Sequence, residues 1–295
     1  MKIRINEKSA ACWLLSLAGM LLNATPVAAA ESYTERWQAF ETRLIRKVKT
    51  FQDLPPLEPE LGTFKRIEYA SDGAALPAYL DTRLVEPGKQ KPAVVYLHGG
   101  FGLNTRELQV ADLFAQAGII ALFPTWRGEN GNPGYFEVFM GEVRDARAAV
   151  LWLAQQDYID RDNIHVFGWS VGGGIAMNLA MLDDIPVRAS GASAGVYDLE
   201  LITAWATEDD YIVFPYDHRD YAENYFRLPI YHLEDLARPH TTWIGSEDRY
   251  AKVKALYDEL YPDVDTDFEL VELPGSHQET LTMAIKRFIE LIVDD

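Results

Sequence analysis

The chain has 295 residues, 45 acidic against 27 basic, and a formal net charge of −18 at pH 7. A surface that acidic repels nucleic acid and anionic lipid, which excludes them as partners and favours solubility. Apolar side chains make up 48% of the sequence, enough for one large domain with a well-buried core.

The first thirty residues read as a leader. Lys2, Arg4 and Lys8 precede an apolar run from Ala10 to Leu22, and Ala28-x-Ala30 supplies the small-residue pattern of a signal-peptidase site. The run is shorter than the ~20 residues that span a bilayer, so the expectation is cleavage after Ala30 and a periplasmic or secreted protein. Cys12, the only cysteine, lies in this leader. The mature chain is therefore expected to hold no disulfide, no cysteine nucleophile and no thiolate metal site, and no metal or cofactor is called for.

Past the leader, Trp37, Phe40, Leu44, Val48 and Phe51 recur at helical spacing behind a Ser32/Glu35 capping box, which predicts one helix across them. Prolines 55, 56 and 59 then interrupt any helix, so residues 31–61 read as a helix and linker ahead of a domain at 62–295. "FKRIEYASDGAALPAYLDTRLV" reads as two strands around a turn at Ser71-Asp72-Gly73, an antiparallel edge. Next come the buried strand "PAVVYLHGG", the helix "RELQVADLFAQAG", the strand "IIALFP" and the helix "EVRDARAAVLWLAQQ". "NIHVFG" is a strand, "GGIAMNLAML" a helix, and "VRASGAS" and "HTTWIGS" are later strands. "AKVKALYDELY" (helix), "DFELVEL" (strand) and "ETLTMAIKRFIELIV" (helix) close the chain. The alternation implies an α/β fold, a mainly parallel sheet with helices on both faces.

Two segments match Gly-x-Ser-x-Gly, one centred on Ser170 and one on Ser193. Ser170 directly follows a strand and precedes a helix, the context that a nucleophile elbow requires. The residues after Ser193 show no compact turn into a helix, so Ser193 reads as the tip of the neighbouring strand. Ser170 is the expected nucleophile. In this architecture its acid and then its base should follow in the chain. His277 sits between the last strand and the last helix, at the end of the sheet where sites form, and is the expected base. Asp248, with Glu247 beside it, follows the strand before; Asp198, after the strand that follows the elbow, is the alternative acid. The oxyanion of a tetrahedral intermediate needs two donors, expected from the backbone N–H of Val171 and of Gly100, with Phe101 in reserve. His98 precedes the nucleophile and reads as a structural hydrogen-bonding residue.

"DG" at 72–73, "YLHGG" at 96–100, "PTWRGENGNPGY" at 124–135, "GWSVGGG" at 168–174, "GSED" at 245–248 and "GSH" at 275–277 stand in the order found in prolyl oligopeptidase catalytic domains. The run "FGLN" after the His-Gly step is similar to dienelactone hydrolases, another branch of the α/β-hydrolase superfamily. The resemblance runs from about residue 64 to 295 and implies an α/β-hydrolase fold with a Ser170–Asp248–His277 triad. It departs from the family in leaving no room for a β-propeller and in placing Val171 where many members carry tyrosine, which argues against proline specificity. Residues 199–238, rich in aromatic side chains, stand where such folds carry a cap. The expected activity is hydrolysis of esters or of small acyl or peptide substrates. Acyl transfer to an alcohol or amine, a peptidase of the prolyl oligopeptidase type, and a non-catalytic binding protein are the alternatives.

Overall fold

The computed structural model describes residues 31–50, 54–198, 200–203, 214–262 and 266–293. The expected leader lies outside them, as do Phe51 of the predicted N-terminal helix and residues 204–213 of the predicted cap. Within the described chain the strands are β1 (Glu60–Leu61), β2 (Phe64–Ser71), β3 (Ala74–Asp81), β4 (Lys91–Leu97), β5 (Ile120–Pro124), β6 (Ile159–Trp169), β7 (Ala189–Ser193), β8 (His240–Gly245) and β9 (Phe268–Leu273). They form one sheet in the order β1-β2-β3-β5-β4-β6-β7-β8-β9. β1 to β3 are antiparallel, and β3 joins β5 antiparallel. From β5 to β9 every pairing is parallel. The β2–β3 turn sits where the sequence places it, with Asp72 and Gly73 both at positive φ as a two-residue hairpin turn requires.

Side-chain alternation divides the core between the two faces. Ala93, Val95 and Leu97 of β4 pack on one side with α3 (Met140–Leu153) and α4 (Val171–Ala180). Val94 and Tyr96 pack on the other with Phe114 of α2 (Ala111–Gln116) and with Ile285 and Phe288 of the closing helix Glu279–Val293. A strand covered on both faces has no polar side, hence its continuous apolar run.

The N-terminal helix is shorter than its spacing predicts. α1 spans Tyr33–Ala39, and Phe40 turns extended. The capping box forms: Ser32 N–H donates to Glu35 and Glu35 N–H to Ser32 Oγ. Beyond Phe40 the chain exchanges local hydrogen bonds for distant ones. Ile45 and Arg46 N–H both donate to Pro215 O, Thr50 N–H to Gly128 O, and Val48 O accepts from Phe136 N–H. These tertiary partners outcompete a helix that is too short to be stable alone. The end of the predicted linker, Glu60–Leu61, pairs with β2 as β1.

The described part of the 199–238 segment is tied to this N-terminal stretch. Tyr216, Phe226 and Leu228 share a core with Tyr33 and Trp37. Arg227 is fully buried, 2.7 Å from Glu223, 2.6 Å from Thr42 Oγ1 and 3.8 Å above the Tyr216 ring. Glu223 also accepts from Thr42 Oγ1 and from Arg43 N–H. Removing Glu223 leaves a buried guanidinium without its counter-charge. Glu223→Ala should therefore lower the unfolding free energy by about 3–5 kcal/mol, read from urea denaturation followed by far-ultraviolet circular dichroism.

Candidate active site

The chain runs from β4 to β5 on one side and then crosses to β6 on the other, so strand order reverses at β4. Parallel α/β sheets bind ligands beyond the carboxyl ends of the strands at such a reversal. Here those ends carry His98-Gly99-Gly100 after β4 and Ser170 after β6.

Ser170 occupies a strained backbone conformation, φ 54° and ψ −114°, which costs about 1–3 kcal/mol for a residue with a side chain. Its surroundings hold it there. Ser170 N–H donates to Ser193 O at 2.9 Å, and Ser170 O accepts from Gly173 N–H at 2.9 Å and Val196 N–H at 3.2 Å. The turn is too tight for side chains at its glycines. A Cβ on Gly168 would lie 2.0 Å from Gly172 O, and one on Gly172 would lie 2.0 Å from Leu97 O. Val171 opens α4, whose N-terminus favours negative charge near the serine.

His277 and Asp248 come together. His277 Nδ1 lies 2.7 Å from Asp248 Oδ2, with the carboxylate side chain 1% exposed and the imidazole 30%. Asp248 Oδ1 accepts from Tyr250 N–H at 3.0 Å, so both carboxylate oxygens are held. The loops that carry the pair are laced: Ser246 N–H donates to Leu273 O and Glu247 N–H to Gly275 O. With Nδ1–H directed to the carboxylate, the Nε2 lone pair of His277 is left to accept a proton. The ring packs against Tyr250 at 4.8 Å and against Trp169, the residue before Ser170, at 5.7 Å. Among the described residues, the His277 ring is hydrogen-bonded to Asp248 and not to the Ser170 hydroxyl. In apo enzymes this contact is often long and tightens once substrate is bound.

The alternatives fall elsewhere. Glu247 is exposed. Asp198 is buried and spends Oδ1 on Leu201 N–H at 2.8 Å; burial raises its pKa. Ser193 is fully buried at the end of β7, and its hydroxyl has no hydrogen-bond partner among the described residues. His240 bridges Ser190 Oγ and Tyr197 OH inside the sheet, and burial pushes its pKa down to about 3. His232 is stacked on Tyr225, and burial lowers it to about 4. His218 packs against the Phe214 ring, tilted by 31°.

Around Gly99 lies a polar cluster that motif spacing did not reveal. His98 is fully buried and stacked on Trp126, with Nε2 2.9 Å from Glu129 Oε1. Glu107 Oε2 accepts from Gly99 N–H at 2.9 Å. Burial lowers the His98 pKa, but the charge and hydrogen bond of Glu129 outweigh it and carry the value up to about 9. Burial raises Glu107 to about 7. Only contacts between distant segments define this cluster; the single sequence signal was the buried-strand context of His98.

These features, an open nine-stranded sheet with a strained serine turn at its strand reversal, define an α/β-hydrolase. The model of the prolyl oligopeptidase family matches residues 106–270, more than half of the sequence, and the chain belongs to that family. The uncharacterized peptidase YtmA of Bacillus subtilis is 36% identical over 141 residues, 45% of this chain and 51% of that protein. An uncharacterized Mycobacterium tuberculosis protein is 35% identical over 94 residues, 32% of this chain and 33% of its own length. The matched stretch thus spans about half or less of these curated relatives. A puromycin-hydrolyzing peptidase of M. tuberculosis superposes with TM-score 0.63 at 22% identity, covering 80% of this chain and 41% of its own. A hyperthermophilic esterase from the archaeon Pyrobaculum calidifontis superposes with TM-score 0.60 at 19% identity, covering 80% and 86%. At these identities the superpositions show the fold.

The buried histidines differ in charge as their surroundings dictate. Because the folded pKa of His98 lies above that of an unfolded histidine, its ion pair stabilises fully below about pH 6.5 and is lost as pH rises through about 9. Imidazole 15N shifts recorded from pH 5 to 9 should show His240 neutral throughout and His98 doubly protonated until about pH 9.

Proposed function

We propose that this protein is a serine hydrolase that cleaves carboxylic esters or small acyl and peptide substrates through an acyl-enzyme formed on Ser170. The observation that carries the reading is the His277–Asp248 pair, its carboxylate buried and its imidazole half-buried, beside a serine in a strained strand-to-helix turn. His277 Nε2 takes the Ser170 proton as the hydroxyl attacks the carbonyl. Asp248 holds the imidazole tautomer and stabilises its cation. The N–H groups of Val171 and Gly100 receive the oxyanion, and His277 then protonates the leaving group. Water repeats the sequence and frees Ser170. The family, and fold relatives described as an esterase and a peptidase, support an ester or peptide substrate.

The reading includes export, with residues 1–30 as a signal peptide. The Ser32 capping box lies just past the expected cut, so cleavage after Ala30 leaves the first helix whole. No helix among the described residues is long and apolar enough to cross a membrane.

A fluorophosphonate should label the mature protein, with the adduct mapped by peptide mass to Ser170; absence of an adduct in folded protein overturns the mechanism. Asp248→Asn should lower kcat by ~10⁴ for a short p-nitrophenyl ester while the melting temperature holds. Ser193→Ala should leave turnover nearly unchanged, since its buried hydroxyl has no hydrogen-bond partner among the described residues to lose.

A further inference from the structure

The imidazole of His98 makes two contacts. Nε2 meets Glu129 Oε1 at 2.9 Å, and Nδ1 lies 3.0 Å from Gly99 O. A carbonyl oxygen can only accept, so Nδ1 carries a proton and donates it to Gly99 O. The C=O of Gly99 and the N–H of Gly100 belong to one planar trans peptide and point in opposite directions. A donor fixed on the carbonyl therefore fixes where the Gly100 N–H is aimed.

The neighbouring groups fix the rest of this loop. Glu107 accepts the Gly99 N–H at 2.9 Å, and its other oxygen takes Asn104 Nδ2. Asn130 accepts Leu103 N–H at 2.9 Å and donates to Leu103 O. Gly100 has φ +66°, a conformation that few residues other than glycine adopt. Gly99 is pressed against the Trp169 ring, where a Cβ would lie 2.5 Å from the nearest ring carbon. Trp169 precedes Ser170, so the Gly99–Gly100 peptide is set beside the nucleophile turn.

Fold stability does not account for the charged pair. A buried ion pair contributes little over an apolar pair of similar volume. Glu129 Oε2, moreover, is buried with no hydrogen-bond partner among the described residues, which adds a cost. What the pair supplies, and an apolar pair lacks, is a charged donor on Gly99 O, which also polarises the peptide toward stronger donation from its N–H.

We propose that His98 and Glu129 are positioning residues of the reaction, Glu129 holding His98 and His98 holding the Gly99–Gly100 peptide so that the Gly100 N–H serves as an oxyanion donor. This rests on the serine hydrolase reading above. His98 touches no substrate, since both ring nitrogens are engaged and the side chain is fully buried.

The test uses the full-length protein, a short p-nitrophenyl ester, and fluorophosphonate titration to count active sites. Glu129→Ala should lower kcat per titrated site by about 10- to 100-fold with KM within about twofold, the scale of a misplaced donor. Glu129→Gln should restore part of the loss, because the Gln carbonyl oxygen can take the place of the carboxylate oxygen that accepts Trp126 N–H and meets His98 Nε2, leaving Nδ1–H on Gly99 O. Inhibition by an aryl trifluoromethyl ketone, whose adduct places an oxyanion in the same site, should weaken in Glu129→Ala by the factor lost in kcat/KM. A purely structural role lowers the fraction of titratable sites and leaves kcat per site intact. That result, or a Glu129→Gln as impaired as Glu129→Ala, overturns the proposal. If Glu129→Ala does not fold, the apolar pair His98→Phe with Glu129→Leu replaces it, and full kcat per site in that double variant is equally decisive. If the unaltered protein takes no label at Ser170, the proposed function itself fails; if it labels normally and only the variants behave as the unaltered protein does, this inference alone fails.

Discussion

The turn between β6 and α4 is the constraint on which the rest of the site depends. A strand must reverse into a helix within one residue, so backbones approach where side chains would normally keep them apart. Gly168, Gly172 and Gly173 leave that space, and each is closed against a different neighbour: the turn itself, the end of β4, and Gly195 after β7. The strain at Ser170 is offset by four backbone hydrogen bonds, two of which reach into β7 and the loop beyond it. The turn consequently draws the β4 loop and the β7 loop toward one point. The candidate oxyanion loop and the buried Ser193 both lie against it.

Histidine shows how environment separates roles within one residue type. His240 has hydroxyl neighbours and no carboxylate, so burial wins and the ring is neutral. His98 is buried to the same extent but faces Glu129, whose charge reverses the outcome. His277 is bound to a buried carboxylate while its ring stays partly exposed. One carboxylate, present or absent, and the degree of burial thus set three imidazoles apart.

Much of this was legible in the sequence because the patterns are local. Apolar runs and their turn residues located the strands and helices of the sheet, since a strand buried on both faces must be continuously apolar. Glycines around Ser170 and the order serine, acid, histidine pointed to one end of that sheet. The N-terminal helix was over-read for a reason of the same kind. Leu44 and Val48 do recur at helical spacing, but periodicity reports only which side chains seek burial. Here a non-helical chain half-buries them by borrowing backbone partners at Pro215, Gly128 and Phe136.

The sequence by itself determined the class of fold, the identity of the tight turn and the short list of acids and bases, because each follows from spacing along the chain. Only the tertiary structure separated Asp248, which meets His277, from the exposed Glu247 and from Asp198, which caps the residues after it. It alone brought Glu107 and Glu129 to Gly99 and His98 and joined the N-terminal stretch to Glu223 and Pro215. Those decisions depend on which distant segments share a buried volume, and hydrogen bonds there are set by proximity in space rather than by separation in sequence.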